Sequence, residues 1–360
     1  MKKILVDIYL AYNLGDDLFL DVLAKRYPNT EITVLHPGNN YNSFFKQYNN
    51  VKKLPYSYLN KGLRKIGVYN VLKDYKKFAK KYDALLFLGG GIFREESYSG
   101  SLLNYREEII TSFKNNNKKI FFLGCSFGPF KSNDFYTNYL NLFKLCDDIC
   151  FRDLYSFNLF KSLKNVRYAP DILWSLKTKS QEPKEDIIGY SLINPKHKLG
   201  LEKCFNDYIK FTSNSVVNNL KDGYKINLLS FCEQEGDLIV IEEILKNIPK
   251  EFSKHILVSI YNGDIESMLL TISKLKCLVA ARFHGVLLAL LNEINVIPVI
   301  YSNKTKNLLE DIKFKGTVIE FENLQLLEKI KCITKTLEIN NLKLESESHF
   351  LKLDEYLNSK

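Results

Sequence analysis

The feature that constrains this chain most is a rhythm: short, continuous apolar runs alternate with amphipathic stretches along most of its length. A run with no polar alternation reads as a strand buried on both faces, and the amphipathic stretches between such runs read as the helices that cover it. The rhythm predicts an α/β chain on parallel sheets. In the first half the runs are KILVDIY, EITVL, ALLFLG, KIFFLG, DICF and VRYA, with helices starting near Asp16, Arg106, Asn133 and Asp153. The second half repeats the pattern with IIGYSLI, KINLLSF, HILVSIY, CLVAAR, VIPVIY and GTVIEF.

Between the halves lies LKTKSQEPKED, a polar stretch with a proline and no apolar period, which reads as a linker. The expected organisation is an N-terminal α/β domain over 1–175, a linker over 176–186 and a C-terminal α/β domain over 187–322. A helical tail over 323–360 is expected to pack back on the N-terminal domain. A chain of 360 residues is long enough for two such cores. In doubly wound sheets ligands sit beyond the carboxyl ends of the strands, so two facing domains are expected to hold a substrate in the cleft between them. Functional residues are therefore sought just after strands.

Composition narrows the class. The opening MKKILVDIYLAYNLGDD is interrupted by Asp7 and lacks a small-residue cleavage site, so it reads as a first strand rather than a signal peptide. No stretch has the length of uncharged apolar sequence that a membrane span needs, and the expectation is a soluble or peripheral cytoplasmic protein. The 7 cysteines are scattered, odd in number and mostly within apolar runs, as buried reduced thiols are. Cys146 and Cys150 lie close together but lack a second ligand pair, so no metal site is expected. The net charge of +10 is spread along the chain. It suits nucleic acid, an anionic membrane face or a phosphate-bearing substrate equally, and without a nucleic-acid-binding motif no nucleic acid partner is expected.

Several strand ends carry polar or glycine residues suited to a ligand. Asn13-Leu14-Gly15-Asp16-Asp17 follows the first strand and opens a helix, whose N-terminus favours anions. Asp16 or Asp17 can equally be a helix cap. Gly89, Gly90 and Gly91 end another strand and let backbone approach a ligand, or simply make a tight turn. Neither the dinucleotide fingerprint nor the P-loop pattern is present. Ser126 lies in the loop GCSFGP, and Arg152 opens RDLYS, where it can grip a carboxylate or phosphate bidentately or pair with Asp153 or another carboxylate. The sharpest signal is Ala281-Arg282-Phe283-His284-Gly285. There an apolar strand ends in an arginine and a histidine two apart, suited to an anionic substrate and a proton transfer. A satisfied core histidine beside a surface arginine is the alternative.

In order along the chain, N-L-G-D, L-G-G-G, G-x-S-x-G-P, F-R-D-x-x-S, A-P-D at 169–171 and A-R-F-H-G resemble the polysaccharide pyruvyl transferase family. The resemblance spans residues 13 to about 301, and Pro298, Tyr301 and Lys304 in VIPVIYSNK resemble the family's next segment. It implies a two-domain fold like that of GT-B glycosyltransferases. It also implies transfer of pyruvate from phosphoenolpyruvate to a hydroxyl pair of a sugar, as a cyclic ketal, in surface-polysaccharide synthesis. No metal or cofactor is expected beyond phosphoenolpyruvate as co-substrate. The saccharide acceptor is in many such pathways lipid-linked, which implies visits to the inner face of the membrane.

The family's phosphoenolpyruvate-binding arginine and its R-x-H pair fall on Arg152, Arg282 and His284. Arg152 and Arg282, with Gly89, Gly90 and Ser126, are the expected donor contacts. His284 is the candidate general acid, and Asp171 or Asp16 the candidate base. Asn13, Gly15, Asp16, Tyr301 and Lys304 are expected around the cleft, and Tyr98, Tyr105 and Arg106 on the acceptor side. Arginines beside His284 are expected to disfavour its protonated form until an anionic substrate binds, so binding should take up a proton. Phe151 stands where many relatives have serine, and Cys125 sits within the glycine-proline loop, two departures from the family's pattern. A GT-B sugar-nucleotide glycosyltransferase is the competing enzyme reading, and a non-catalytic scaffold on anionic lipid is a third.

Overall fold

The structure, a computed structural model, describes residues 1–35, 41–54, 71–177, 183–326 and 339–359. His36 and parts of the expected linker and tail lie outside these. The chain divides into two compact units: Met1–Leu10 with Phe19–Ser175 and Leu342–Lys360, and Ala11–Leu18 with Leu176–Asn341.

The first unit is built on a 7-stranded sheet of order β3-β2-β1-β4-β5-β6-β7. The strands are β1 (Lys3–Ile8), β2 (Glu31–Val34), β3 (Val51–Lys53), β4 (Ala84–Leu88), β5 (Lys119–Cys125), β6 (Asp148–Phe151) and β7 (Val166–Tyr168), all paired in parallel. Parallel neighbours need a crossover, and the amphipathic stretches supply helices for it. All residues of β4 are buried, as the unbroken apolar run predicts. Aromatic side chains fill the core: Phe87 stacks on Phe122 with centroids 4.3 Å apart, and Phe93, Tyr139, Phe143 and Phe160 meet around them largely edge to face.

The second unit is built on a 6-stranded sheet of order β10-β9-β8-β11-β12-β13. Its strands are β8 (Ile187–Ser191), β9 (Lys225–Ser230), β10 (Ile256–Ile260), β11 (Cys277–Ala280), β12 (Asn295–Ile300) and β13 (Ile319–Glu320), again all parallel. Both units are thus doubly wound, as the apolar rhythm predicts. In each, the strand order reverses once, between β1 and β4 and between β8 and β11. Loops at such a reversal diverge to opposite faces and leave a crevice.

Two readings are corrected. The loop Ala11–Leu18, expected within the N-terminal domain, belongs to the second unit. The Leu14 N–H donates to the Phe231 carbonyl at 3.0 Å, and the Tyr261 hydroxyl donates to the buried Asp17 at 2.7 Å. Cys125, Cys146, Cys150, Cys204 and Cys232 are free thiols, all but Cys204 buried. Arg106 does not line an acceptor surface. It is buried in the first core, donating to the Tyr139 hydroxyl and the Ile92 carbonyl, while the Tyr105 hydroxyl donates to Asp7.

Candidate functional site

In the first unit four loops at strand ends meet at one guanidinium. Arg152 directly follows β6. Its Nε donates to Ser126 Oγ at 2.8 Å, just past β5, and its Nη1 donates to Asp171 Oδ2 at 2.8 Å, just past β7. The glycines following β4 complete the cluster. The Gly89 N–H donates to the Leu123 carbonyl at 3.2 Å, and the Ser126 N–H donates to the Gly90 carbonyl at 2.6 Å. A Cβ on Gly90 would come within 2.4 Å of the Arg152 Cζ, so only glycine lets the guanidinium lie against this turn. The Arg152 and Asp171 side chains are 4% and 1% exposed. A charge buried this far persists only when it is paired and hydrogen-bonded.

Asp153 does not partner Arg152. It caps the helix Leu154–Phe160 by accepting the Ser156 N–H at 2.7 Å, as an N-terminal aspartate commonly does. Asp171, expected as a base, is placed as an anchor: Oδ2 holds Arg152 and Oδ1 accepts the Leu173 N–H at 2.9 Å. Burial raises its pKa and the neighbouring Arg152 opposes that rise. With both oxygens engaged and almost no exposure, this carboxylate is built to hold the arginine.

The second unit holds Asn13, Gly15, Asp16, Arg282, His284, Tyr301 and Lys304, with Arg282 at its own strand reversal. Arg282 follows β11 and stands immediately before the helix Phe283–Leu291. Its Nε donates to the Leu192 carbonyl, just past β8, at 3.0 Å, so the arginine bridges the two diverging loops. Nη1 donates to Glu235 at 2.6 Å, and Nη2 to Asp237. Burial alone would loosen the arginine's proton, but Asp237 and Glu235 hold it far more tightly than in water. Asp237 also accepts the Phe231 and Cys232 N–H groups at 3.0 and 2.9 Å. Burial pushes the Glu235 pKa up, but Arg282 and Lys198 overcome this and bring it down to about 2. Arg282 is therefore paired with two carboxylates.

His284 occupies the first turn of the same helix, half-buried, with its ring edge to face against Phe283 at 5.0 Å. It lies directly over Gly15: a Cβ there would fall 1.7 Å from the imidazole Nδ1. The N-L-G-D and R-F-H-G segments, far apart in sequence, thus need each other. Asn13, not Asp16 or Asp17, caps the helix Leu14–Arg26, its Oδ1 accepting the Gly15 N–H at 3.1 Å while its amide donates to Glu235 at 3.3 Å. Asp16 is half-buried in the first turn of that helix. Tyr301 packs edge to face on Phe321 at 6.1 Å, within electrostatic reach of Arg282, and Lys304 lies in the first turn of the helix Asn303–Asp311.

Sequence reasoning did not single out Glu235, Asp237, Lys198 or Tyr261. The acidic run EQEGD follows the end of β9 after Phe231 and Cys232, so the search after strand ends could have reached it. It also missed His197, whose Nδ1 lies 2.9 Å from the Glu235 carbonyl.

The model of the family described as polysaccharide pyruvyl transferase matches residues 13–303. The chain belongs to this family. The matched span carries both clusters of this transferase, from Asn13 to the turn after β12. Among solved structures, Anabaena Alr3699/HepE in complex with UDP-glucose is similar at 12% identity and TM-score 0.61, covering 100% of each chain. Methanocaldococcus jannaschii UDP-GlcNAc 2-epimerase in complex with UDP-GlcNAc and UDP is similar at 12% identity and TM-score 0.58, covering 99% of this chain and 100% of that one. S. aureus MnaA with UDP is similar at 11% identity and TM-score 0.57, covering 99% and 97%. At such identities these likenesses speak for the fold alone, the two-domain GT-B type. Among the described residues, no helix of the transferase is long and apolar enough to cross a membrane.

Proposed function

We propose that this family member moves the enolpyruvyl carbons of phosphoenolpyruvate onto two hydroxyls of a saccharide precursor of a surface polysaccharide, forming a pyruvyl ketal and releasing phosphate. The observation that carries this reading is Arg152, a buried guanidinium fixed on two sides and laid against a glycine turn. A preorganised arginine with close backbone access suits the carboxylate or phosphate of a small, highly charged donor.

The chemistry needs a proton on the donor's methylene carbon, two successive attacks by sugar hydroxyls on the central carbon, and cleavage of the bond from that carbon to the phosphate oxygen. The first hydroxyl's proton replaces the one delivered to the methylene, and the second leaves with phosphate, so the protons balance. His284 is the group proposed to deliver the proton, since imidazole exchanges protons near neutral pH. Arg152 is proposed to hold the donor and Asp171 to position Arg152. Arg282 braces the loop from which His284 projects, and Asp16 remains the proposed hydroxyl base. A saccharide acceptor accords with the family, and a lipid-linked form of it at a cytoplasmic membrane face is part of the proposal.

Calorimetric titration of phosphoenolpyruvate into the wild type, in two buffers of different ionisation enthalpy, should show binding with proton uptake. Arg152→Ala should weaken binding by about tenfold to a hundredfold, the value of a charge-assisted hydrogen-bonded contact. His284→Gln should retain binding but lose phosphate release with acceptor. UDP-glucose, the ligand of one fold neighbour, serves as the contrast. A wild type that binds UDP-glucose, and ignores phosphoenolpyruvate with and without acceptor, would overturn the proposal in favour of glycosyl transfer.

A further inference from the structure

Strand β10 ends the second unit's sheet, with β9 on one side and no other strand of the described residues on the other. An edge strand presents a row of backbone donors and acceptors, and proteins usually blunt such edges with charge or proline. This one is ILVSI, and Leu257, Val258 and Ile260 are 47%, 43% and 45% exposed. Neighbouring strand residues point to opposite faces, so Leu257 and Val258 expose apolar surface on both sides of the edge. The flanking helices carry exposed apolar residues as well: Ile239 and Leu245 on Asp237–Lys246 and Leu270 on Ile265–Ser273.

A partner for this surface must bring an unpaired strand edge together with apolar cover for both faces, and the edge of a second doubly wound sheet has that form. Charge selects which one. Exposed Lys250, Glu251 and Lys254 precede the strand, a net basic end, and exposed Asp264 and Glu266 follow it. Antiparallel pairing with the same strand of another copy sets each basic end against an acidic end, whereas parallel pairing sets like against like. An antiparallel self-pairing is isologous and closes as a dimer. An anionic membrane is a poorer match, because Glu242, Glu243, Asp264 and Glu266 stand among the lysines of this surface. We propose that the protein forms a homodimer by antiparallel pairing of β10 with β10, joining two sheets into one. The proposal does not depend on the donor or the reaction.

With the twofold axis at Val258, the basic end of each strand lies toward the acidic end of the other. Sedimentation of the full chain over a range of concentrations should show a monomer–dimer equilibrium, and Val258→Lys should leave a monomer. Lys250→Glu and Glu266→Lys should each raise the dissociation constant about tenfold, since each change acts twice across the axis. The double variant should restore it, a result no misfolded single variant can mimic. A wild type monomeric at every concentration, a dimer that survives Val258→Lys, or a double variant no tighter than its parents overturns the proposal. So does a monomer that binds phosphatidylserine vesicles through Val258, which would assign the surface to membrane.

Discussion

A missing side chain can be as specific as one that is present. Gly15 sits in the first turn of a helix, where alanine would ordinarily stabilise by about 1 kcal/mol. Here the added Cβ would occupy the space of the His284 imidazole. Gly15→Ala should therefore leave thermal stability largely intact while phosphate release falls by at least tenfold, a split that calorimetry and an activity assay will show together. His349 gives the complementary case of a buried group absent from the proposed chemistry. Its ring is fully buried with Nε2 2.8 Å from the Pro170 carbonyl, and burial, helped by Arg167, lowers its pKa from 6.5 to about 3. The unfolded chain binds a proton there below pH 6.5 while the folded chain does not. Stability is thus fully present above that pH and falls as pH drops toward 3, by about 1.4 kcal/mol per unit. Urea unfolding at pH 7 and pH 5 should show this loss in the wild type and a smaller one in His349→Gln.

At the scale of elements, the strand ends decide what was readable. Strands buried on both faces announce themselves as apolar runs, so nearly every strand was visible. The exception is β3, three residues of which two are lysines, at a sheet edge where burial demands nothing of the sequence. The search after strand ends singled out Arg152, Arg282, Ser126 and Gly90, all of which lie in the two clusters. Partner choice was not readable, because it depends on which strands are adjacent: Asp171 reaches Arg152 only because β7 neighbours β6, and Asp237 reaches Arg282 only through the order of the second sheet. The segment after β9 matters accordingly. Asp237→Ala removes one of the two carboxylates on buried Arg282 and the acceptor of two backbone N–H groups, and should cost about 3 kcal/mol in chemical denaturation, as the loss of one member of a buried ion pair does.

At the scale of the molecule, the chain leaves its first unit at about residue 175 and returns to it only at Leu342. The returning segment is bound tightly. Arg167, already paired with Asp148 at 2.6 Å, donates to the carbonyls of Ser348 and His349. Arg26 meets Asp354 at 2.6 Å and also pairs with Glu347, and the Lys2 ammonium reaches the Tyr356 carbonyl at 2.9 Å. This arrangement has a consequence for how the protein is made. A ribosome delivers the first sheet well before the residues that finish it. Through the whole translation of the second unit, the Pro170 carbonyl and the spare donors of Arg167 face water, beside the loop that holds Asp171. The first unit to emerge is the last to be completed, and a nascent chain paused anywhere before residue 342 carries the Arg152 cluster without the segment that closes in next to it.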